Sequence, residues 1–126
     1  MPLVTITIQA PKSPEFKRKA LDAVHAALVS VGVPEADRFQ RVLELAPEDF
    51  LFDAHYPDTA RPRGPDFVLV ELLWSVGRSV KVKRQMLAEL VRLWEAAGLD
   101  AEQLMLVIKE TQWENWSFAG GRLLHT

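Results

Sequence analysis

The sequence predicts an α/β fold in which tandem β-α-β units form one four-stranded sheet with two helices on one face. Three observations predict it. The chain repeats itself at an offset of 66 residues, so that LVTITI at 3–8 stands over LVELLW at 69–74, and GVP at 32–34 over GLD at 98–100. Each half passes from a β-branched or apolar run to a segment with apolar residues at helical spacing, then back to a strand-like run. Each helical segment has a start signal before it and a glycine behind it. The reading is one domain over 1–126, with a pseudo-repeat over 2–45 and 68–110.

The elements follow in order. LVTITI is bounded by Pro2 before it and by Pro11 and Ser13 after it. Ser13 can cap the first helix, with Pro14 at its first position, where a missing N–H costs nothing. Phe16, Ala20, Ala23, Val24, Ala27, Leu28 and Val31 give that helix one broad apolar face, and Gly32 stops it. RVLEL at 41–45 is the second strand. Residues 46–66 hold four prolines and many turn formers and read as a long loop, with Phe50 and Phe52 as a short edge strand. FVLVELLW opens the second unit. Ser79 can cap its helix, whose apolar face is Val82, Met86, Leu87, Leu90, Val91, Trp94 and Ala97, and Gly98 ends it. LMLVIKE at 104–110 is the last strand. Trp113, Trp116 and Phe118 lie outside the helical pattern and call for a large surface to pack on, either a neighbouring subunit or a pocket lining.

Two right-handed crossovers leave one sheet face bare. The strand FVLVELLW is apolar on nearly every residue, which asks for burial on both sides. A chain of 126 residues has no second layer to offer, so another copy of the chain is the expected cover.

Composition excludes several classes. Fifteen basic residues against 17 acidic give a net charge of −2, which does not attract nucleic acid or anionic lipid in bulk. There is no cysteine, hence no disulfide and no thiolate chemistry. Histidines at 25, 55 and 125 lack metal-ligand spacing. The reading is therefore no cofactor, no metal, no nucleic acid and no membrane partner. The apolar start is short and lacks a basic lead, so it is not a signal peptide, and the cytoplasm is the expected compartment.

Two positions carry candidate chemistry on their own. Pro2 sits where a proline loses no ladder bond, and it serves equally as a tolerated strand start. Removal of Met1 would make it a secondary amine at the chain end. Such an amine titrates near pH 8, so it can act as a base, donate a proton or form an iminium. Arg78, behind Gly77, sits at a strand-to-helix turn of the kind that carries binding residues, and its fork can grip a carboxylate with two hydrogen bonds. Its alternative is a solvated turn arginine. Lys12 is the internal counterpart of Arg78 at the 66-residue offset, so its turn belongs at the pseudo-symmetric place in the fold.

These pieces resemble the tautomerase superfamily, in particular its malonate semialdehyde decarboxylase-like branch. The resemblance rests on PLV at 2–4, DAVH at 22–25, GVPEADRF at 32–39, GRS at 77–79 and NWSFAGG at 115–121. It implies a homotrimer with sheets facing inward and a small carboxylate-containing substrate, handled by Pro2, Asp37 and Arg78. Asp37 would activate water or orient the reacting group; read alone, it is a turn aspartate beside Arg38. The resemblance adds His25, Trp116 and Phe118 as substrate contacts, each with a packing alternative. Trp74, at the end of the central strand near the expected pocket mouth, is a further contact, with filling of an interface as its alternative. The implied activity is keto–enol tautomerisation of a small enol, keto or unsaturated acid. The alternatives are hydration or decarboxylation of a small 3-oxo acid, and a noncatalytic trimeric binding or scaffold protein. One departure counts against decarboxylation: the branch has a second arginine where this chain has Val76. Arg61, Arg63 or an arginine of a neighbouring subunit are the candidate substitutes.

Overall fold

The computed structural model describes residues 2–123; Met1, whose removal would free the Pro2 amine, and His125 lie outside them. The elements are β1 (Pro2–Gln9), α1 (Pro14–Ser30), β2 (Gln40–Leu45), β3 (Val68–Ser75), α2 (Val80–Ala96) and β4 (Leu104–Thr111), with single 3-10 turns at Pro47–Asp49, Ala101–Gln103 and Trp113–Asn115. The sheet order is β2-β1-β3-β4. β1 and β3 pair antiparallel at the centre, and each takes its own unit's second strand parallel on the outside.

One side of the sheet is the core. Val4, Ile6 and Ile8 of β1, and Val68, Val70, Leu72 and Trp74 of β3, are buried together with Ala20, Val24, Leu28, Met86, Leu90 and Trp94 of the helices. These strand positions alternate by two, so they all point to one face. α1 and α2 pack on each other over that face. Both helices begin as the serines dictate: Ser13 accepts from the Phe16 N–H at 3.1 Å, and Ser79 from the Val82 N–H at 3.2 Å. Leu87 does not join the core; it is exposed on α2.

The internal repeat extends to single interactions. Val33 N–H donates to Leu28 O, and Leu99 N–H to Trp94 O, one offset later. Ala10 N–H donates to Leu45 O, and Val76 N–H to Thr111 O. Ion pairs repeat as well: Lys17 with Glu44 at 2.6 Å, and Lys83 with Glu110 at 3.1 Å.

The 46–66 region differs from expectation in one respect. Phe50 and Phe52 do not form an edge strand. Their rings turn inward on Phe67, at 5.7 and 4.5 Å between centroids. Burial of three rings outweighs one more strand with an open edge.

Candidate active site

Pro2 opens β1, is buried, and stands opposite Trp74 in the β1–β3 register. The end of β3 therefore lies beside Pro2. After Ser75 the chain must reverse into α2. Gly77 makes that turn at a φ of +118°, a left-handed conformation that a side chain resists. The reversal lays Arg78 back over the strand end. Its Nη1 donates to the Ser75 carbonyl at 2.7 Å, and its guanidinium carbon is 4.5 Å from the centre of the Trp74 ring. A second indole, that of Trp113, lies 5.5 Å from the same carbon and is itself tied by its Nε1–H to the Val76 carbonyl at 3.1 Å. The cation thus rests against two aromatic rings, an arrangement that suits the flat guanidinium better than a lysine. Partial burial pulls the Arg78 pKa down, opposed by Asp37 and Glu110. A guanidinium starts so high that it remains charged at neutral pH.

Asp37 comes from the turn between α1 and β2, where its N–H donates to the Pro34 carbonyl at 3.0 Å. It is half-buried, and its field reaches Arg78. His25, buried on α1, has its Nε2 2.8 Å from the Glu35 carbonyl in that same turn. Its ring thus engages the backbone two residues before Asp37. Trp116 stacks on Phe118 with centroids 5.9 Å apart, and Phe118 lies 5.7 Å from Phe39. Phe39 reaches the neighbourhood of Pro2 through its carbonyl, which accepts the Val4 N–H at 2.9 Å.

The structure brings Pro2, Trp74 and Arg78 together, with Asp37 beside them. Two residues of this neighbourhood are not among the contacts the sequence assigns to the site. Trp113 reads there as packing on a neighbouring subunit or as a pocket lining, with no link to Arg78, because their meeting spans 35 positions of chain (78 to 113). Phe39 carries a local signal, an aromatic ending GVPEADRF just before a polar strand start.

The substitutes for the missing arginine are corrected. Arg61 is bonded to Asp100 through Nη2 at 2.5 Å, and Arg63 lies over the Phe67 ring while its Nη1 donates to the Asp53 carbonyl at 2.9 Å. Phe67 precedes Val68, which pairs with Ile8, whereas Pro2 pairs with Trp74. Six residues of extended strand separate these two ends, about 20 Å. Within their own chain, Arg61 and Arg63 serve the opposite pole. His55 and Tyr56, exposed in the same loop, donate their backbone N–H groups to Asp53 at 2.9 and 2.7 Å.

A buried proline that would carry a secondary amine once Met1 is removed, a half-buried cation on an aromatic bed and a carboxylate whose field reaches it can hold a small acid and move a proton on it. Among the described residues, no group of three His, Cys, Asp or Glu side chains is placed to hold a metal, and no helix is long and apolar enough to cross a membrane.

Comparison with known proteins agrees with this fold. A family model described as tautomerase enzyme matches residues 37–119, a span that holds Asp37, Trp74, Arg78, Trp113, Trp116 and Phe118. A probable tautomerase of Bacillus subtilis (strain 168), YusQ, is 23% identical over 124 residues, covering 97% of this chain and 96% of its own. The FG41 malonate semialdehyde decarboxylase inhibited by 3-bromopropiolate superposes with a TM-score of 0.86 at 28% identity, covering 96% of this chain and 92% of that one. A second malonate semialdehyde decarboxylase, described with decarboxylase and hydratase activities, gives 0.86 at 25% identity, covering 96% and 93%. A fused 4-OT that forms a symmetric trimer shares the fold, with a TM-score of 0.74 at 24% identity over 96% and 94%. The family model takes in two thirds of the sequence, from the Asp37 turn to the Trp116–Phe118 stack, and the likeness in structure runs the length of the chain: the chain belongs to the tautomerase superfamily, and its structure is similar to that of the malonate semialdehyde decarboxylase branch.

Proposed function

We propose that the chain is an amino-terminal-proline enzyme that decarboxylates or hydrates a small 3-oxo or unsaturated acid. The observation that carries this reading is that Pro2 and Arg78 both neighbour Trp74, one by strand register and one by stacking. It is supported by the whole-length likeness to two malonate semialdehyde decarboxylases.

Met1 must first be removed, so that Pro2 carries an amine. Asp37 favours the ammonium form and Arg78 opposes it. In the cationic form, Pro2 donates a hydrogen bond to the 3-oxo oxygen while Arg78 holds the carboxylate. The bond between the carboxylate and the α-carbon breaks, its electron pair passes toward the carbonyl, and carbon dioxide leaves. The resulting enolate takes the Pro2 proton at carbon, and water returns a proton to the amine. Hydration uses the same groups: Asp37 takes a proton from water as its oxygen adds to the β-carbon, and Pro2 protonates the α-carbon.

A second reading rests on Val76. With an apolar residue where the branch has an arginine, the site has fewer groups for C–C cleavage. Keto–enol tautomerisation asks for only a base, an anchor and an apolar wall. One experiment separates the two. Loss of a 3-oxo acid and ketonisation of phenylenolpyruvate are followed side by side for wild type, Pro2→Ala and Arg78→Ala, with intact mass establishing that Met1 is gone. Both variants should lose at least about a hundredfold in kcat/KM on the true substrate class. Pro2→Ala retaining wild-type rates on both substrates would overturn the reading.

A further inference from the structure

We propose that the chain has a second, noncatalytic site for a small carboxylate, built around Lys12 and latched by Asp66. The inference starts from the internal repeat. Lys12 occupies the place of Arg78 one offset earlier and shares one of its bonds: Nζ donates to the Gln9 carbonyl at 2.9 Å, as Arg78 donates to Ser75, the counterpart of Gln9, while a further, longer bond runs from Nζ to the Pro11 carbonyl at 3.4 Å. Ser13 and Ser79 cap the helices that follow the two cations. The fold therefore places a cation at the strand-to-helix turn of each unit, at opposite poles.

Three features make the second turn a site rather than a relic. The Lys12 side chain is only 9% exposed, so its charge is largely withdrawn from water. Its ammonium lies 5.9 Å from the Phe16 ring centre. Its neighbours Phe16 and Asp66 line a cavity of roughly 440 Å³ together with Pro65, Trp94 and Gln103 among others, a volume ordinary for a small-molecule site. Gln103 is the offset counterpart of Asp37. Pro2, by contrast, has Val68 as its counterpart, whose nitrogen is an internal amide. The second turn can hold an acid and cannot perform amine chemistry on it.

What stands at Lys12 is Asp66. Its carboxylate is 3.7 Å from Nζ, beyond hydrogen-bond range, and its side chain is 70% exposed. Such an ion pair holds weakly. The other carboxylates nearby are engaged elsewhere: Glu44 with Lys17 and the Lys12 backbone N–H, Asp100 with Arg61. An incoming monocarboxylate displaces Asp66, takes a full-length hydrogen bond from Nζ, and lays a short apolar body on Phe16 and Trp94.

The proposal uses the likeness of the two turns but does not depend on the reaction assigned to the first, and the test reads them separately. The uniformly ¹⁵N-labelled full chain is titrated with propanoate and its amide resonances are followed. The amides of Lys12 and Ser13 should shift along a saturation curve distinct from that of Arg78 and Ser79. In Asp66→Ala, with its surface latch removed, that curve should tighten about fivefold, with the Arg78 curve unchanged. In Lys12→Met the first set should stop responding while the second persists; Lys12→Arg should restore it. No saturable shift at Lys12 and Ser13 in Asp66→Ala, or undiminished shifts in a folded Lys12→Met, would overturn the second site. A silent Arg78 turn beside a responding Lys12 turn would instead count against the proposed function alone.

Discussion

Arg78 carries the weight of substrate binding in this proposal, and its direction is set by residues far along the chain. Trp74 lies below it and Trp113 against it, at 4.5 and 5.5 Å. A long cationic side chain loses rotamer freedom on binding. Two indoles that hold the guanidinium in advance reduce that loss. Trp113 is therefore a positioning residue. Trp113→Leu should raise KM for a carboxylate substrate roughly threefold to tenfold, the worth of one cation–π contact, with kcat little changed. Trp113→Phe keeps a ring for the cation and loses only the bond to the Val76 carbonyl, so it should restore most of the affinity. Steady-state kinetics on the three proteins check this; a fall in kcat with KM unmoved would contradict it. The sequence marks Arg78 itself, because a glycine, a cation and a capping serine between a strand and a helix define a rim. It cannot mark Trp113, whose part is a tertiary contact. His25 lies between these cases. Its place on α1 is legible, but its bond to the Glu35 carbonyl depends on how the following turn folds back.

At the scale of elements, the repeat makes the chain readable. Two capping serines, two stop glycines and two strand pairs agree with one another, and that agreement identifies all six elements. Reading stops where repetition stops. The loop at 46–66 repeats only in its first turn, Pro47–Asp49 against Trp113–Asn115 one offset later, and beyond that turn three phenylalanines meeting across distance help order it. Leu87 fits the helical period yet stays exposed, since periodicity gives a helix one face while the width of the sheet decides how much of it is covered. The repeated ion pairs offer a test at this scale. The Glu44 carboxyl is held below the usual glutamate range, first by the Lys17 side chain and next by the Lys12 backbone N–H. A depressed carboxyl stabilises the fold fully above its unfolded value, near 4.5, and that contribution is lost as pH falls through the lower folded value. Glu44→Gln should therefore lower Tm at neutral pH and converge with wild type as both are acidified well below pH 4.5. Thermal melts across that range measure it; a constant difference at every pH would place the effect in packing instead of charge.

For the whole molecule, the open side of the sheet decides what assembles. Leu3, Thr5 and Thr7 of β1, and Leu69, Glu71 and Leu73 of β3, point away from the helices. Leu43 and Met105 extend this face onto the outer strands and are 44% and 43% exposed. Its charged residues are already committed: Arg41 Nε donates to the Thr5 hydroxyl at 2.8 Å, and Lys109 lies 3.4 Å from Glu71. What remains is a broad, largely apolar surface of the kind that soluble chains keep covered. Another copy is the expected cover, and three chains the expected count. Light scattering coupled to size exclusion should return three times the chain mass of 14.2 kDa. Leu69→Lys places a charge on the open face of a central strand, where it leaves the helix-side core untouched, and should shift the mass to that of one chain with helix content retained. Burying an unpaired ammonium at an apolar contact is costly enough to break the assembly. Wild type running as a monomer, or Leu69→Lys still running as a trimer, would show that this face is not what joins the copies. The candidate-site residues Pro2 and Trp74 lie at one end of the same two strands. The variant's activity therefore adds a second reading: if turnover persists in the monomer, one chain supplies every group the reaction needs, and if turnover disappears with the helices intact, a neighbouring copy supplies the cation that Val76 does not.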